Sequence, residues 1–212
     1  MKLLVFGASG KTGNQILQQA LDQGHNVSAF VRDTSTLTIK HPKLTLLTGD
    51  VLNPDSVHKA IPGHDAVLCT IGSPANKIGV IRSQGTKNII NAMEDAGIKR
   101  LVCQTSLGYG DSIKTLDSTP WYFKYLIVPY ILKKGFADHA LQESYIKNSS
   151  LDWIIARPGN LTDGPKTGNY SHGFSYDTKG LKIMISRADV AHFMIDQLNK
   201  DQYLKKTVGL SY

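Results

Sequence analysis

The sequence predicts an α/β protein in which a doubly wound parallel sheet carries helices on both faces. Two observations predict this class. Short apolar runs suited to buried strands alternate with stretches of helical periodicity, and a glycine-rich turn joins the first run to the first helix. The chain has 212 residues, of which 41% are hydrophobic and 19% charged, a balance typical of a folded globular protein. We therefore expect a single domain over residues 1–212.

The predicted strands and helices alternate over most of the chain. The strands are expected at 3–6, 27–31, 44–47, 66–71, 101–103 and 153–156, and the helices at 14–23, 54–61, 83–96 and 137–148. Glycines stand where the C-terminal caps of the first three helices belong, at Gly24, Gly63 and Gly97. Ser186, three residues before Asp189, predicts a capping box that begins a final helix running to Leu198.

Two long segments break this alternation, at residues 107–135 and 160–182. We call them the first and the second excursion. Loops that follow the carboxyl ends of strands build the ligand crevice of an open α/β sheet, so we expect these excursions to form a small substrate lobe. The aromatic run of Trp121, Tyr122 and Phe123 predicts a clamp on a planar substrate, although packing on the core explains the same residues.

Charge and cysteine content limit the classes of function. The net charge is +7, but the basic residues are scattered, so the sequence favours a solvated surface and an anionic small molecule over nucleic acid. No apolar run is long enough to span a membrane, and we expect no membrane partner. Cys69 and Cys103 lie in apolar runs and are predicted to be buried free thiols, which favours a reducing cytoplasmic location. The absence of paired Cys or His spacing predicts no metal site.

The turn after the first strand carries the strongest functional signal. Gly7, Gly10 and Gly13 supply the backbone freedom that a sharp strand-to-helix turn needs. Such a turn points free N–H groups of the helix start at an anion, here the pyrophosphate of a dinucleotide. A glycine-rich loop without a ligand is the alternative.

Arg32 stands after the second predicted strand, where an NAD-specific protein usually offers a carboxylate to the adenosine ribose. An arginine there pairs with the 2′-phosphate of NADP, which predicts NADPH as the cofactor and leaves NADH possible. Asp33 follows at once, and a solvated strand end is the competing interpretation of Arg32. Asp50 and Val51 are predicted to contact the adenine, with helix capping as the alternative for Asp50. Ile71 and Gly72 let the cofactor lie close to the fourth strand.

Several segments resemble the atypical short-chain dehydrogenase/reductase superfamily, in its NmrA-like and biliverdin-IXβ reductase (flavin reductase) branch. They are GASGKTG, VRD, TGDV, DAVLCTIG, KRLVCQTS, LDWIIARPGNLTDGPKTGNY and ISRADVAHFM. The resemblance covers nearly the whole chain and implies a Rossmann-type fold. It further implies an NAD(P)H-dependent oxidoreductase with a shallow site for flavins, quinones or linear tetrapyrroles.

The resemblance also implies site residues, carried over by position. The cofactor and active-site segments correspond to Gly7, Ser9, Gly10, Lys11, Thr12, Arg32, Asp50, Val51, Ile71, Gly72, Thr105 and Ser106, and the strand end that flanks the nicotinamide corresponds to Arg157, Pro158, Gly159 and Asn160. Thr36 stands where the branch has a second arginine, and Asn160 stands where it has histidine. These departures predict weaker 2′-phosphate binding and a different tetrapyrrole specificity.

The proton donor is less well defined by the sequence. The wider superfamily uses a Tyr-x-x-x-Lys pair, whose spacing Tyr130 and Lys134 match. Aligning LDWIIARP with the equivalent strand instead places the lysine position at His139 and the tyrosine position at Gly135. We therefore expect hydride transfer without a dedicated protein acid.

Ser106 is the predicted catalytic hydroxyl that faces the nicotinamide, with a turn cap as its alternative role. His139 and Tyr109 are further candidates. Two other functions fit the same cofactor fingerprint: an NADP(H)-binding redox sensor without turnover and, despite the missing Tyr-x-x-x-Lys register, a nucleotide-sugar epimerase.

Overall fold

The computed structural model describes residues 1–73 and 79–212 and contains one large sheet. Its strands are β1 (Lys2–Phe6), β2 (Asn26–Val31), β3 (Leu44–Thr48), β4 (Ala66–Cys69), β5 (Arg100–Gln104), β6 (Asp152–Pro158), β8 (Ser171–His172) and β10 (Lys206–Ser211). Their order is β3-β2-β1-β4-β5-β6-β10-β8, parallel except for the antiparallel pair of β10 and β8. A separate parallel pair joins β7 (Asn160–Thr162) to β9 (Met184–Ser186).

Within residues 1–73 and 79–212, five α-helices cover the two faces of the sheet. They are α1 (Lys11–Asp22), α2 (Pro54–Ala60), α3 (Ile81–Asp95), α4 (Lys133–Lys147) and α5 (Arg187–Asp196). Helices α1 and α5 pack together on one face, and α2, α3 and α4 pack on the other, so each face has its own apolar core. The predicted doubly wound, Rossmann-type fold is thereby confirmed. Across residues 1–73 and 79–212, every helix falls short of the length and apolar content needed to cross a membrane.

The local signals in the sequence account for most element boundaries. Gly24, Gly63 and Gly97 adopt φ angles between +70° and +82°, the left-handed conformation that ends a helix. Cys69 and Cys103 are buried free thiols, as predicted. They lie opposite each other on the neighbouring strands β4 and β5. The fourth strand ends at Cys69, two residues earlier than predicted.

The capping box at α5 forms only in part. The Ser186 hydroxyl accepts a hydrogen bond from the Asp189 N–H, as predicted. The Asp189 carboxylate instead accepts from the backbone N–H groups of Thr167 and Gly168, while the Ser186 N–H donates to the hydroxyl of Tyr212. Asp189 therefore anchors the second excursion and does not close the box.

Three features of the late chain are missing from the sequence prediction. Strand β10 extends the sheet beside β6. The first excursion contains a 3₁₀ helix at Gly110–Ser118 and a π-helix at Phe123–Leu132 that runs directly into α4. Proline cannot donate the usual helical hydrogen bond, and Pro129 lies inside the π-helix.

The glycines of the first turn follow the carboxyl end of β1, and Gly7 lies against the residue that follows β4. Gly7 has φ +79°, and a Cβ atom there would lie 2.6 Å from the Thr70 carbonyl carbon. A Cβ atom on Gly13 would lie 2.1 Å from the Gly7 oxygen, so α1 starts directly against the turn. Both positions require the absence of a side chain.

Gly13→Ala is expected to lower the free energy of unfolding by about 1–3 kcal/mol, because the backbone of the turn must move to admit a methyl group. Gly135→Ala is the matched control, since a Cβ atom there meets open space among the described residues. That control should be neutral or stabilising by up to about 1 kcal/mol. Urea unfolding of both variants tests the packing, and equal losses at the two positions would contradict it.

Candidate functional site

A cleft of about 1260 Å³ lies along the carboxyl edge of the sheet. The turns that follow β1, β2, β3, β4, β5 and β6 all contribute to its walls, and both excursions close it from the sides. It crosses the switch point between β1 and β4, where open α/β sheets bind their ligands. The volume exceeds that of a single drug-sized ligand, so a dinucleotide and a second molecule fit together.

The glycine turn forms one wall of this cleft at the start of α1. Gly7, Ser9, Gly10, Lys11 and Thr12 line it, whereas Gly13 lies beneath the turn. No side chain within the described part of the molecule caps α1, and its first turn holds no acidic residue. The N–H groups at this helix start are therefore available to an anion, as a pyrophosphate requires.

Lys11 and Arg187 add charge beside this turn. The Lys11 Nζ lies 2.6 Å from Asp163 Oδ2, and Arg187 contacts the other oxygen of the same carboxylate. These contacts lower the pKa of Asp163, above all through the hydrogen bond from Lys11. An anion that enters the cleft meets two cations already held in place by one exposed carboxylate.

At the adenosine end, the structure separates Arg32 from its neighbour. Arg32 lines the cleft with Val31 and Val51, while Asp33 turns away and accepts a hydrogen bond of 2.9 Å from the Ser35 N–H. Among the described residues, the group placed to meet the ribose is thus cationic.

Asp50 is a correction to the predicted adenine site. Its side chain is exposed, does not line the cleft, and accepts a hydrogen bond from the Leu52 N–H within its own turn. The capping alternative is also wrong, because Asn53 accepts from the first N–H groups of α2. The Asp50 carboxylate is oriented by this short-range turn and not towards the cleft.

Most of the residues predicted at or after the ends of β4, β5 and β6 for the cofactor and active site line the cleft. The described lining includes Ile71, Gly72, Thr105, Ser106, Pro158, Gly159 and Asn160. The Ser106 hydroxyl is half-buried and donates to the neighbouring Leu107 carbonyl at 3.0 Å. Ser106 therefore lies where predicted; its catalytic role stays a prediction.

Arg157 is a second correction. Its side chain is buried, does not line the cleft and donates through Nε to Glu143 Oε1 at 2.8 Å, with Nη2 bonding the other oxygen of that carboxylate. Successive residues of a strand point to opposite faces, so Arg157 faces α4 whereas Pro158 faces the cleft. The sequence analysis located this strand end correctly but wrongly assigned the Arg157 side chain to the cofactor site.

Glu143 is the centre of a buried network that the sequence did not reveal. Besides Arg157, its Oε1 accepts from the Thr105 hydroxyl at 2.8 Å and from the Tyr109 hydroxyl at 2.6 Å. Burial by itself raises the pKa of Glu143, but the bonds and charge of Arg157 outweigh it and lower the pKa to about 2. Burial and the same carboxylate raise the pKa of Tyr109, and its hydroxyl donates to Glu143 outside the cleft lining, so it does not face a bound acceptor.

His139 reaches the cleft from α4. Burial, reinforced by the charge of Arg82, lowers its pKa to about 4, so the imidazole is neutral near pH 7. The Gln142 amide nitrogen donates to Thr86, which leaves the amide oxygen facing His139 Nδ1 at 3.1 Å. Nδ1 therefore carries the proton, and Nε2 is left as an acceptor.

The Tyr-x-x-x-Lys spacing has no geometric support. Tyr130 is 82% exposed and lies outside the cleft lining, although Lys134 is part of it. Trp121 likewise points into solvent and packs neither on the core nor in the cleft, whereas Tyr122 and Phe123 do line it. The predicted aromatic clamp is therefore reduced to these two rings.

The charged side chains that line the described part of the cleft are cationic. Among the described lining residues there are six cationic side chains and no carboxylate: Lys11, Arg32, Arg82, Lys134, Lys182 and Arg187. Sequence reasoning singled out neither Arg82 nor Lys182, because the cations come from separate elements and form no cluster along the chain. The signal that could have found them is their position next to the predicted excursions and strand ends.

Residues 209–212 hold the second excursion in place through backbone hydrogen bonds. Lys182 N–H donates to the Tyr212 carbonyl at 2.9 Å, and Gly159 N–H donates to the Leu210 carbonyl at 3.0 Å. Ile183, with φ +48°, lies between these contacts and in the cleft wall. A β-branched residue keeps this backbone conformation only where its surroundings impose it.

The fold and the cleft together define a dinucleotide-binding protein of the Rossmann type. The chain belongs to the NAD(P)H-binding family, whose family model matches residues 7–201. The resemblance to atypical short-chain dehydrogenase/reductases is thereby confirmed.

Three relatives illustrate this membership. The uncharacterised protein YwnB of Bacillus subtilis is 30% identical over 96% of this chain and 94% of its own length. An uncharacterised chloroplastic protein of Arabidopsis thaliana is 33% identical over 79% of this chain, but the match spans only 62% of that relative. The solved structure of ChuY, described as an anaerobillin reductase from Escherichia coli O157:H7, superposes with a TM-score of 0.82 at 27% identity, covering 99% of this chain and 96% of ChuY.

Glu143→Gln is expected to lower the free energy of unfolding by about 3 kcal/mol at pH 7, because it leaves the buried Arg157 guanidinium without its main carboxylate. The native carboxylate stays ionised down to about pH 2, whereas the unfolded one protonates near 4.5. Its contribution is therefore present above about pH 4.5 and is lost as the pH falls towards 2.

Urea unfolding at neutral pH and near pH 3 measures this dependence. The difference in free energy of unfolding between Glu143→Gln and the unmodified protein should be smaller at the lower pH. Asp117→Asn is the control, because Asp117 pairs with Lys124 at the surface and should matter little. An equal loss at both pH values would show that the Glu143 charge is not the cause.

Proposed function

We propose that the protein is an NADPH-dependent reductase that passes a hydride to a planar acceptor such as a flavin, a quinone or a linear tetrapyrrole. The observation that carries this proposal is the continuity of the cleft. One end offers a glycine turn and cations to a dinucleotide, and the other end adjoins it at β5 and β6 with aromatic and apolar walls. A bound dinucleotide would present its nicotinamide to whatever occupies that second end.

The choice of NADPH rests on Arg32. Its guanidinium lines the cleft while Asp33 is occupied by Ser35, so a 2′-phosphate would meet a cation and a plain ribose would meet no carboxylate among the described residues. A charge-assisted hydrogen bond of this kind contributes about 1.5–3 kcal/mol. That energy corresponds to roughly a tenfold to hundredfold preference.

The acceptor end favours a flat apolar molecule that carries acidic groups. Tyr122, Phe123 and Phe136 supply aromatic surface. Lys134 from the first excursion and Lys182 from the second both line the cleft. Aromatic rings stack on planar molecules, and lysines attract carboxylates or phosphates. The similarity to ChuY, described as an anaerobillin reductase, supports the same chemical class.

The chain's own residues would orient the reaction and supply no strong acid. When bound, NADPH provides the hydride, and the acceptor takes up a proton from water to complete its reduction. The Ser106 hydroxyl lies just after β5 and, by turning away from the Leu107 carbonyl, would donate to an oxygen or nitrogen of the acceptor. The neutral His139, with Nε2 free to accept, suits an N–H or O–H group. Thr105 donates a hydrogen bond to Glu143, and this bond fixes the backbone next to Ser106 relative to the helix that carries His139.

Isothermal titration calorimetry with NADPH and NADH tests the cofactor choice. NADPH should bind roughly tenfold to hundredfold more tightly, and Arg32→Ala should remove most of that difference. Lys59→Ala is the control, because Lys59 is exposed on α2 and outside the cleft lining. Equal affinities for the two cofactors in the unmodified protein would overturn the proposal for NADPH.

NADPH oxidation with riboflavin, FMN, quinones and biliverdin tests the reaction. Ser106→Ala should lower kcat by roughly tenfold to a thousandfold, whereas the exposed Tyr130→Phe should leave it nearly unchanged. FMN should show a lower KM than riboflavin, because it adds a phosphate to the same ring system. Tight NADPH binding with no turnover on any acceptor would favour the redox sensor instead.

A further inference from the structure

The helical stretch at residues 121–132, here called the aromatic helix, leaves much of its apolar surface exposed. Its sequence is WYFKYLIVPYIL, with a single charged residue. None of the residues of the π-helix within it is buried. Contiguous apolar surface of this kind is uncommon on a protein that meets only water, and it marks a contact with another phase or molecule.

The aromatic helix has two distinct faces. Tyr122, Phe123, Ile131 and Leu132 line the cleft. The opposite face is turned outwards, and there Trp121 is 68% exposed, Tyr125 61% and Tyr130 82%. None of these three outward residues belongs to the cleft lining. The outer face is therefore not accounted for by the proposed reaction.

The charges around the outer face are positive. Lys133 and Lys134 follow the aromatic helix directly; both are exposed, and Lys134 also lines the cleft. The acidic residues of the first excursion are already engaged, since Asp111 pairs with Arg157 and Asp117 pairs with Lys124. Within the described part of this region no carboxylate is left to balance the two lysines. The whole chain has the same sign, with a net charge of +7.

We propose that the outer face of the aromatic helix docks on an anionic lipid surface. Tryptophan and tyrosine favour the boundary between headgroups and acyl chains, because each combines an apolar ring with a polar tip. Adjacent lysines add attraction to anionic headgroups, as in other helices that lie in a membrane interface. A convex helix needs no complementary pocket to make this contact.

A second copy of the chain fits these observations less well. Two copies that met through this face would bring Lys133 and Lys134 together with their equivalents, without the carboxylates a self-complementary contact needs. The sequence expectation of no membrane partner rested on the absence of a spanning segment. A helix that lies in the interface requires no such segment, so that expectation is revised here.

Vesicle flotation tests the contact directly. The full chain should float with vesicles of equal parts phosphatidylcholine and phosphatidylglycerol, should bind vesicles of phosphatidylcholine alone at least about tenfold more weakly, and should be released by salt. Lys133→Glu should weaken binding about tenfold or more. Lys59→Glu is the matched charge reversal on α2, and it should change binding much less.

Trp121 supplies an independent readout. The chain has two tryptophans, and Trp153 is buried at 6% exposure, so a blue shift of emission on adding vesicles reports Trp121. The triple variant Trp121→Ser, Tyr125→Ser, Tyr130→Ser should lose flotation. Leu52→Ser, at an exposed residue beside α2, should keep it.

The outcomes distinguish the possible partners. The positions changed are exposed, so urea unfolding should give unchanged midpoints and separate lost docking from lost folding. Failure to float, or flotation unchanged in the triple variant, overturns the proposal. A dimer in light scattering that the triple variant dissociates, without vesicle binding, would assign the face to a second copy. NADPH oxidation is measured separately, so the proposed reaction and the lipid contact fail or stand independently.

Discussion

The carboxylate of Glu143 connects the parts of the molecule that form the acceptor end of the cleft. From α4 it accepts hydrogen bonds from Thr105 at the end of β5, from Tyr109 in the first excursion and from Arg157 at the end of β6. Two buried charges of opposite sign need each other, because neither has water to solvate it. The ends of two neighbouring strands are thereby fixed relative to one helix, which gives the cleft a rigid floor. Ser106 and His139, which would contact the acceptor, are positioned by this network but do not bond to Glu143.

The sequence was sufficient for the architecture because each strand and helix follows a local rule. Apolar runs, helix caps and the glycines at 7 and 13 all act over a few residues, and the structure confirms them. Arg157 was misplaced because a resemblance transfers a block of residues, whereas a strand sends alternate side chains to opposite faces. Strand β10 was missed because its pairing with β6 is a contact between distant parts of the chain. Trp121 was expected in the clamp or on the core, but it is 68% exposed, and nothing local in the sequence indicates the side on which a helix is left uncovered.

The cationic side chains of the chain come together only in the folded structure. Along the sequence the cations look scattered and solvated, yet six of them converge on one cleft from the glycine turn, the strand ends and both excursions. No carboxylate stands among the described lining residues, although behind the lining Asp163 pairs with Lys11 and Arg187, and Asp138 Oδ2 lies 3.7 Å from Arg82 Nη1. The unpaired positive charge of the described lining is therefore concentrated at Arg32, Lys134 and Lys182. A concave site of one sign raises the local concentration of anions and speeds their capture. Such a site suits two anionic ligands better than one.

The position of β10 in the chain affects the order in which the site can assemble. The described residues that line the cleft all precede residue 188, but the second excursion is held in place by Leu210 and Tyr212 through backbone bonds to Gly159 and Lys182. The dinucleotide end depends on late residues as well, because Arg187 stands beside the glycine turn and α5 packs on α1. Both ends of the cleft therefore take their final shape only after α5 and β10 have been synthesised and have packed.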